Sequence, residues 1–116
     1  MSDFVWALKN GDLDQVKDWV EIKGAEVNKE LDGRYPLHYA ADYGQNDIIA
    51  YLIDRGAAIN AKDKHGISAL LAAIWEGHTK CVKALLDRGA DKTGLAPDGT
   101  SYLECAEKEE IKVLLR

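Results

Sequence analysis

The stretch Asp32-Gly33-Arg34-Tyr35-Pro36-Leu37-His38-Tyr39-Ala40-Ala41-Asp42-Tyr43-Gly44 decides how the rest of the chain is read. Asp-Gly is a tight-turn dipeptide, Pro36 has the fixed φ that opens a helix, and Gly44 stops that helix after about two turns. At an interval of 33 residues the same skeleton returns as Gly66-Ile67-Ser68-Ala69-Leu70-Leu71-Ala72-Ala73-Ile74-Trp75-Glu76-Gly77. A turn, a short helix and a glycine stop at constant spacing describe a solenoid of stacked units.

The interval holds along the chain. Ala7, Ala40, Ala73 and Ala106 obey it, as do Gly11, Gly44 and Gly77, and Gly33, Gly66 and Gly99. A second helix follows in each unit, with three in-phase apolar columns: Val16/Ile49/Val82, Trp19/Leu52/Leu85 and Val20/Ile53/Leu86. Their spacing within a unit is i, i+3, i+4, one face of a helix, so that face is the one neighbouring units share. The units leave through Gly24-Ala25-Glu26-Val27-Asn28, Gly56-Ala57-Ala58-Ile59-Asn60 and Gly89-Ala90-Asp91-Lys92-Thr93. Each glycine caps its helix, and the following segment is expected to turn back as a short β-hairpin at Asp32-Gly33 or His65-Gly66.

The pattern Asp-Gly-x-x-Pro-Leu-His-x-Ala-Ala-x-x-Gly, then an Ile-Ile-x-x-Leu helix and Gly-Ala-x-Ile-Asn, resembles the ankyrin repeat over essentially the whole chain. The resemblance implies an all-α solenoid of four helix-turn-helix repeats with short β-hairpin fingers. As one domain, residues 1–116, the repeats run about 1–28, 29–62, 63–94 and 95–116. The terminal repeats are truncated: the first begins at Phe4-Val5-Trp6-Ala7 without hairpin or Pro-Leu-His, and the last is shortened around Lys108-Glu109-Glu110. End units have one face without a neighbour, so departures there are expected, and the acidic Glu104–Glu110 segment suits a polar cap. No further repeat is expected at either end.

Composition agrees with a folded globular chain: 116 residues, 47% hydrophobic and 30% charged. No apolar run reaches the roughly 18–20 residues of a membrane span. Met1-Ser2-Asp3-Phe4 lacks the basic start of a secretory signal, which leaves the cytoplasm as the expected location, with passive entry to the nucleus open. The formal charge of −5 disfavours direct nucleic-acid binding and favours encounter with a basic protein surface. Cys81 falls on an apolar helix position and reads as a small buried hydrophobe, and Cys105 as a reduced thiol.

Catalytic patterns do not appear. The three serines lie outside Gly-x-Ser-x-Gly, and neither a dinucleotide fingerprint nor a phosphate loop is present. Two cysteines and three scattered histidines do not form a metal set. The expectation is therefore a binding protein without cofactor, metal or turnover. His38 holds the ankyrin helix-one histidine position, where the resemblance implies a tie to the backbone of the adjacent hairpin. His78, after Gly77, also reads as structural, and His65 as a fingertip residue, solvated or touching a partner. In the third unit Ala69 and Leu71 replace the proline and histidine, and that junction is expected to be less rigid.

The rings point to function. Trp19 is in register with Leu52 and Leu85 and reads as core. Trp75 and Tyr43 lie between the helix-one alanines and the glycine, positions that, with the fingertips, line the concave groove of ankyrin solenoids. Trp, Tyr and Arg are enriched at binding hot spots. The bland alternative, Trp75 flat on its neighbour helix, stays open, and Trp6 reads as contact surface or end cap. With Asp32, Arg34, Asp42, Asp63, Lys64, His65 and Glu76 around them, these rings make a groove with acidic bias.

Within the ankyrin family, the run Trp6-Ala7-Leu8-Lys9-Asn10-Gly11-Asp12-Leu13-Asp14, the Pro36–Asp42 block and Gly89–Thr93 followed by Pro97-Asp98-Gly99 are similar to one short four-repeat branch. That branch binds the heterodimeric actin capping protein and blocks its basic, filament-facing surface, so the resemblance implies a stoichiometric inhibitor and most simply a monomer. Trp6, Asp32, Asp42, Trp75 and Glu76 are then the expected contacts, with Arg34, Tyr43 and His65 flanking. Small ankyrin proteins also bind Rel-type transcription factors and kinases, the alternative clients.

Overall fold

The computed structural model describes residues 3–116, so Met1 and Ser2 of the expected first repeat lie outside the described residues. Eight helices are found among those residues: α1 (Asp3–Asn10), α2 (Leu13–Glu21), α3 (Pro36–Asp42), α4 (Asn46–Asp54), α5 (Ala69–Trp75), α6 (Thr79–Asp87), α7 (Tyr102–Cys105) and α8 (Glu109–Leu115). They are too short to persist alone, and stacking supplies their stability. α3 packs between α1 and α5, and α5 against α7, forming a first row. α4 packs between α2 and α6, and α6 against α8, forming a second. The result is an elongated body of 40 × 24 × 22 Å.

The small columns let the rows approach. Ala7, Ala40 and Ala73 are fully buried in the first row, and Ala106 nearly so. In the second row Val16, Ile49, Val82, Leu52 and Leu85 are fully buried. The third column, Val20, Ile53 and Leu86, is only half-buried, since it lies at the margin of the shared face. Trp19 is in the core register but also half-buried; its ring meets Phe4 at 6.0 Å and carries Lys23 Nζ at 4.4 Å.

The fingers contain almost no strand. Each closes on one isolated bridge: Leu31 with Arg34, Lys62 with Ser68, and Leu95 with Ser101. At the first tip Asp32 (φ 57°) and Gly33 (φ 82°) both adopt the left-handed conformation of a type I′ turn. Between the first two finger tips the Lys64 N–H donates to the Gly33 carbonyl at 3.0 Å, and side chains add further ties between neighbouring repeats. Asn28 accepts from the Ala58 N–H at 2.8 Å and donates to the Gly56 carbonyl at 3.0 Å, and Asn60 accepts from the Asp91 N–H at 2.9 Å.

A second set of ties runs along the turns between helices. Gln45, His78 and Lys108 occupy the N-cap positions of α4, α6 and α8, yet none caps its own helix with its side chain. Each reaches back to the preceding repeat: Gln45 Nε2 donates to the Lys9 carbonyl at 2.8 Å, His78 Nε2 to the Asp42 carbonyl at 2.9 Å, and Lys108 Nζ to the Gly77 carbonyl at 2.8 Å. Gly44 (φ 74°) makes room for this, since a Cβ there would lie 2.8 Å from His78 Nδ1. Gly44→Ala is therefore expected to lower stability by at least about 1 kcal/mol, from backbone strain and a displaced imidazole. Urea denaturation with an unchanged midpoint would show that the turn tolerates the methyl group.

The third repeat departs from the expected loose start. Ser68 Oγ accepts from the Leu71 N–H at 3.1 Å, capping α5, and shares a buried hydrogen bond of 2.7 Å with the Tyr102 hydroxyl of the next repeat. A serine cap locked by a tyrosine replaces the missing proline and histidine. At α7 the position of His38 and Leu71 is taken by Glu104, which forms a reciprocal capping box with Ser101.

Candidate protein-binding groove

The finger of the second repeat and the end of α3 meet at a corner, and that corner begins the groove. Tyr39, near the middle of α3, donates its hydroxyl to the Leu31 carbonyl of the finger at 2.6 Å. Arg34, leaving the finger, lies with its guanidinium carbon 5.1 Å from the centre of the Tyr39 ring. The same guanidinium is 3.4 Å from Asp42 at the end of α3 and 3.4 Å from Asp63 in the next finger. Three elements are thus drawn together around one cation.

His38 supports the corner from below. It is buried; its Nδ1 accepts from the Tyr35 N–H at 3.0 Å, which assigns the proton of the neutral ring to Nε2, the donor to the Ala61 carbonyl at 2.9 Å. This is the tie to the adjacent hairpin implied by the resemblance. Burial pulls its pKa below the usual histidine value, against the opposing pull of the Ala61 carbonyl and of Asp63.

Asp63 corrects the reading that placed it on the groove surface. Its side chain is only 1% exposed. Oδ1 accepts from the His65 N–H at 2.8 Å and the Ile67 N–H at 3.0 Å, folding the finger tip as an Asx-turn. Oδ2 has no hydrogen bond and faces the Arg34 guanidinium. Burial pushes the Asp63 carboxyl up, but the two N–H groups, His38 and Arg34 outweigh it and hold the pKa below the ordinary carboxylate value. Asp63 shapes the finger and anchors Arg34 instead of facing solvent.

The remaining positions divide by exposure. Trp6, Tyr43 and Trp75 leave 48%, 47% and 47% of their surfaces open, far more than core rings require. Asp32, His65 and Glu76 are exposed, and Arg34 and Asp42 are half-buried. Arg34, Asp42 and Tyr43 belong to one cluster, linked through Tyr39 and Lys9. Trp75 and Glu76 stand one repeat along at the end of α5, Trp6 one repeat back on α1, and Asp32 and His65 on two finger tips. The Trp75 indole N–H meets the thiol of half-buried Cys105, whose pKa burial raises and that contact lowers in part. Trp75 thus touches its neighbour by an edge while half of it stays open. Cys81 is sealed in the second row, where burial pushes its thiol to about 11.

Lys9 is the groove residue the sequence reading missed. Its Nζ lies 5.6 Å from the Tyr39 ring centre and 5.5 Å from that of Tyr43. The signal was available, since Lys9 stands in the same 33-residue column as Asp42 and Trp75.

Other concave regions are shallow. Depressions of about 240 Å³ beside Gly11, Gly44 and Gln45, and of about 280 Å³ beside Gly77, His78 and Lys108, follow the inter-helix turns, away from the rings. Both are smaller than a typical small-molecule pocket. Among the described residues no cluster of three His, Cys, Asp or Glu side chains is arranged to hold a metal ion. No helix among them is long and apolar enough to cross a membrane.

Comparison with known proteins agrees with this architecture. The family model described as ankyrin repeats (three copies) matches residues 4–94. Myotrophin of Xenopus tropicalis is 56% identical over 114 residues, covering 97% of this chain and 96% of that protein. Myotrophin of Homo sapiens is 56% identical over 115 residues, with 98% and 97% covered. The chain belongs to the myotrophin family of ankyrin-repeat proteins. A proteasome non-ATPase regulatory subunit 10 of Dictyostelium discoideum is 41% identical over 91 residues, but these are 77% of this chain and only 39% of that protein. The myotrophin match thus spans the departing end repeats as well as the shared ankyrin core. As a myotrophin-family ankyrin protein, the chain is a protein-binding molecule.

Proposed function

We propose that this chain binds the heterodimeric actin capping protein and inhibits it by occupying its basic, filament-facing surface, so that barbed ends continue to grow. The observation that carries the reading is the full-length likeness to myotrophins, which includes the Trp6–Asp14 run that generic ankyrin repeats do not explain. The groove supports it: three half-open rings beside Asp32, Asp42 and Glu76, on a chain of charge −5, suit a partner rich in Arg and Lys. No chemical step is needed, since an occupied surface cannot meet a filament end. On this reading the chain acts as a monomer in the cytoplasm.

The test is actin assembly from capped and uncapped seeds. Adding the chain to capping protein is expected to restore barbed-end growth in proportion to occupancy, with no effect on actin alone. Unaltered capping at large excess of the chain ends the proposal, and affinity capture from extract then reports whether a Rel-type factor or a kinase is the client instead.

A further inference from the structure

We propose that the groove takes a single arginine of its basic partner at the end of α5, between the face of Trp75 and the carboxylate of Glu76. The inference rests on the proposed function and names the contact on which that binding turns. The rings and carboxylates of the groove differ in whether they already hold a cation of their own.

In the second repeat nearly all of them do. Lys9 Nζ sits over both Tyr43 and Tyr39, at 5.5 and 5.6 Å. Arg34 covers Tyr39 at 5.1 Å and is shared between Asp42 and Asp63 at 3.4 Å each. A partner cation arriving there must displace a resident one, and the exchange of one ion pair for another yields little net free energy. Asp32, on the exposed finger tip, is the other acid of the candidate groove in that repeat.

The third repeat is different. Among the described residues no cation lies over the Trp75 ring and no ion pair involves Glu76, although both are exposed. Lys108 reaches the same turn but is held on the Gly77 carbonyl at 2.8 Å. About half of the Trp75 surface is already covered, so less side-chain freedom remains to be lost on binding than for a fully exposed ring. Trp is the strongest cation–π acceptor among the rings, and a guanidinium stacks flat on it while offering N–H groups sideways to a carboxylate. An ammonium offers the charge without the plane, so arginine is the better fit. Trp6, the other exposed ring of the candidate groove with no cation over it among the described residues, shares its helix face with Lys9 three residues on, and a positive neighbour disfavours a second cation there.

The experiment measures capping-protein affinity at low and moderate salt for the wild-type chain, Trp75→Ala, Trp75→Phe, Glu76→Gln and Tyr43→Ala, with a thermal melt of each. Trp75→Ala is expected to weaken binding at least about thirtyfold with its melting temperature nearly unchanged. Trp75→Phe should fall between it and wild type, Glu76→Gln should cost about fivefold at low salt and flatten the salt dependence, and Tyr43→Ala should cost about threefold. Binding by Trp75→Ala equal to wild type, or a Tyr43→Ala loss as large as that of Trp75→Ala, overturns the inference and leaves the proposed function standing. A large loss of melting temperature with retained affinity also overturns it, by assigning the ring to the core. Absence of wild-type binding removes the proposed function and this inference together.

Discussion

His38→Leu is expected to lower the stability of the chain by about 3 kcal/mol and to abolish part of its sensitivity to mild acid. Leucine is the natural residue at the equivalent place in the third repeat, Leu71, so shape alone does not condemn the change. What is lost is the pair of hydrogen bonds through which the imidazole joins the Tyr35 N–H of its own repeat to the Ala61 carbonyl leading into the next finger. Removing the ring leaves a partly buried donor and acceptor without partners, each costing about 1–3 kcal/mol, offset in part by the apolar side chain. The wild-type pH dependence follows from the lowered pKa of His38. As pH falls below the ordinary histidine value, the unfolded chain takes up a proton while the folded one resists, because burial penalises the charged form of the ring. Stability is therefore full above that value and declines as pH falls through the folded-state pKa. Urea titrations of both proteins at neutral pH and at about pH 5 check this. Parallel pH profiles for the two would refute the role given to the imidazole.

Ser68→Ala is the second large effect, at about 2–3 kcal/mol, from a substitution that removes one oxygen. The lost cap of α5 accounts for about 1 kcal/mol. The rest comes from the Tyr102 hydroxyl, which is buried with its residue 2% exposed and loses the 2.7 Å partner it has in Ser68. Tyr102→Phe is expected to cost less, about 1 kcal/mol, because Ser68 keeps its bond to the Leu71 N–H. The double variant Ser68→Ala/Tyr102→Phe should then be less damaged than the two single losses added together, with a coupling of about 1 kcal/mol. Strict additivity in a denaturation cycle would mean that the two hydroxyls do not stabilise each other.

These two positions show where reading the chain one repeat at a time succeeds and where it stops. His38 was legible, since its place after Pro36-Leu37 and its tie to the adjacent finger belong to the repeat pattern. Ser68 was not. The loss of Pro and His at Ala69 and Leu71 suggested a weaker helix start, and the compensation came from Tyr102, a residue 34 positions away that fills the proline register of the following unit. The groove divides in the same way. The periodicity located Tyr43, Trp75 and Glu76 at the end of the first helix of their repeats, where the structure leaves them exposed, while Trp6, read as contact surface or end cap, is exposed in the middle of α1. It also offered Asp63 as a surface acid, where the structure turns that carboxylate inward to fold its own finger.

By itself the sequence determined the repeat length, the pairing of helices, the buried alanine and aliphatic columns, and the altered end units, because each is a pattern of volume and polarity recurring at one interval. Only the tertiary structure decided which groove charges are already matched. Lys9 reaches the rings of the second repeat, and Arg34 is divided between Asp42 and Asp63, through side chains that cross between elements. Such reach depends on rotamers and on the distance between stacked units, neither of which a one-dimensional period encodes. That is why an open tryptophan and an occupied tyrosine, alike in the sequence, differ in the folded chain.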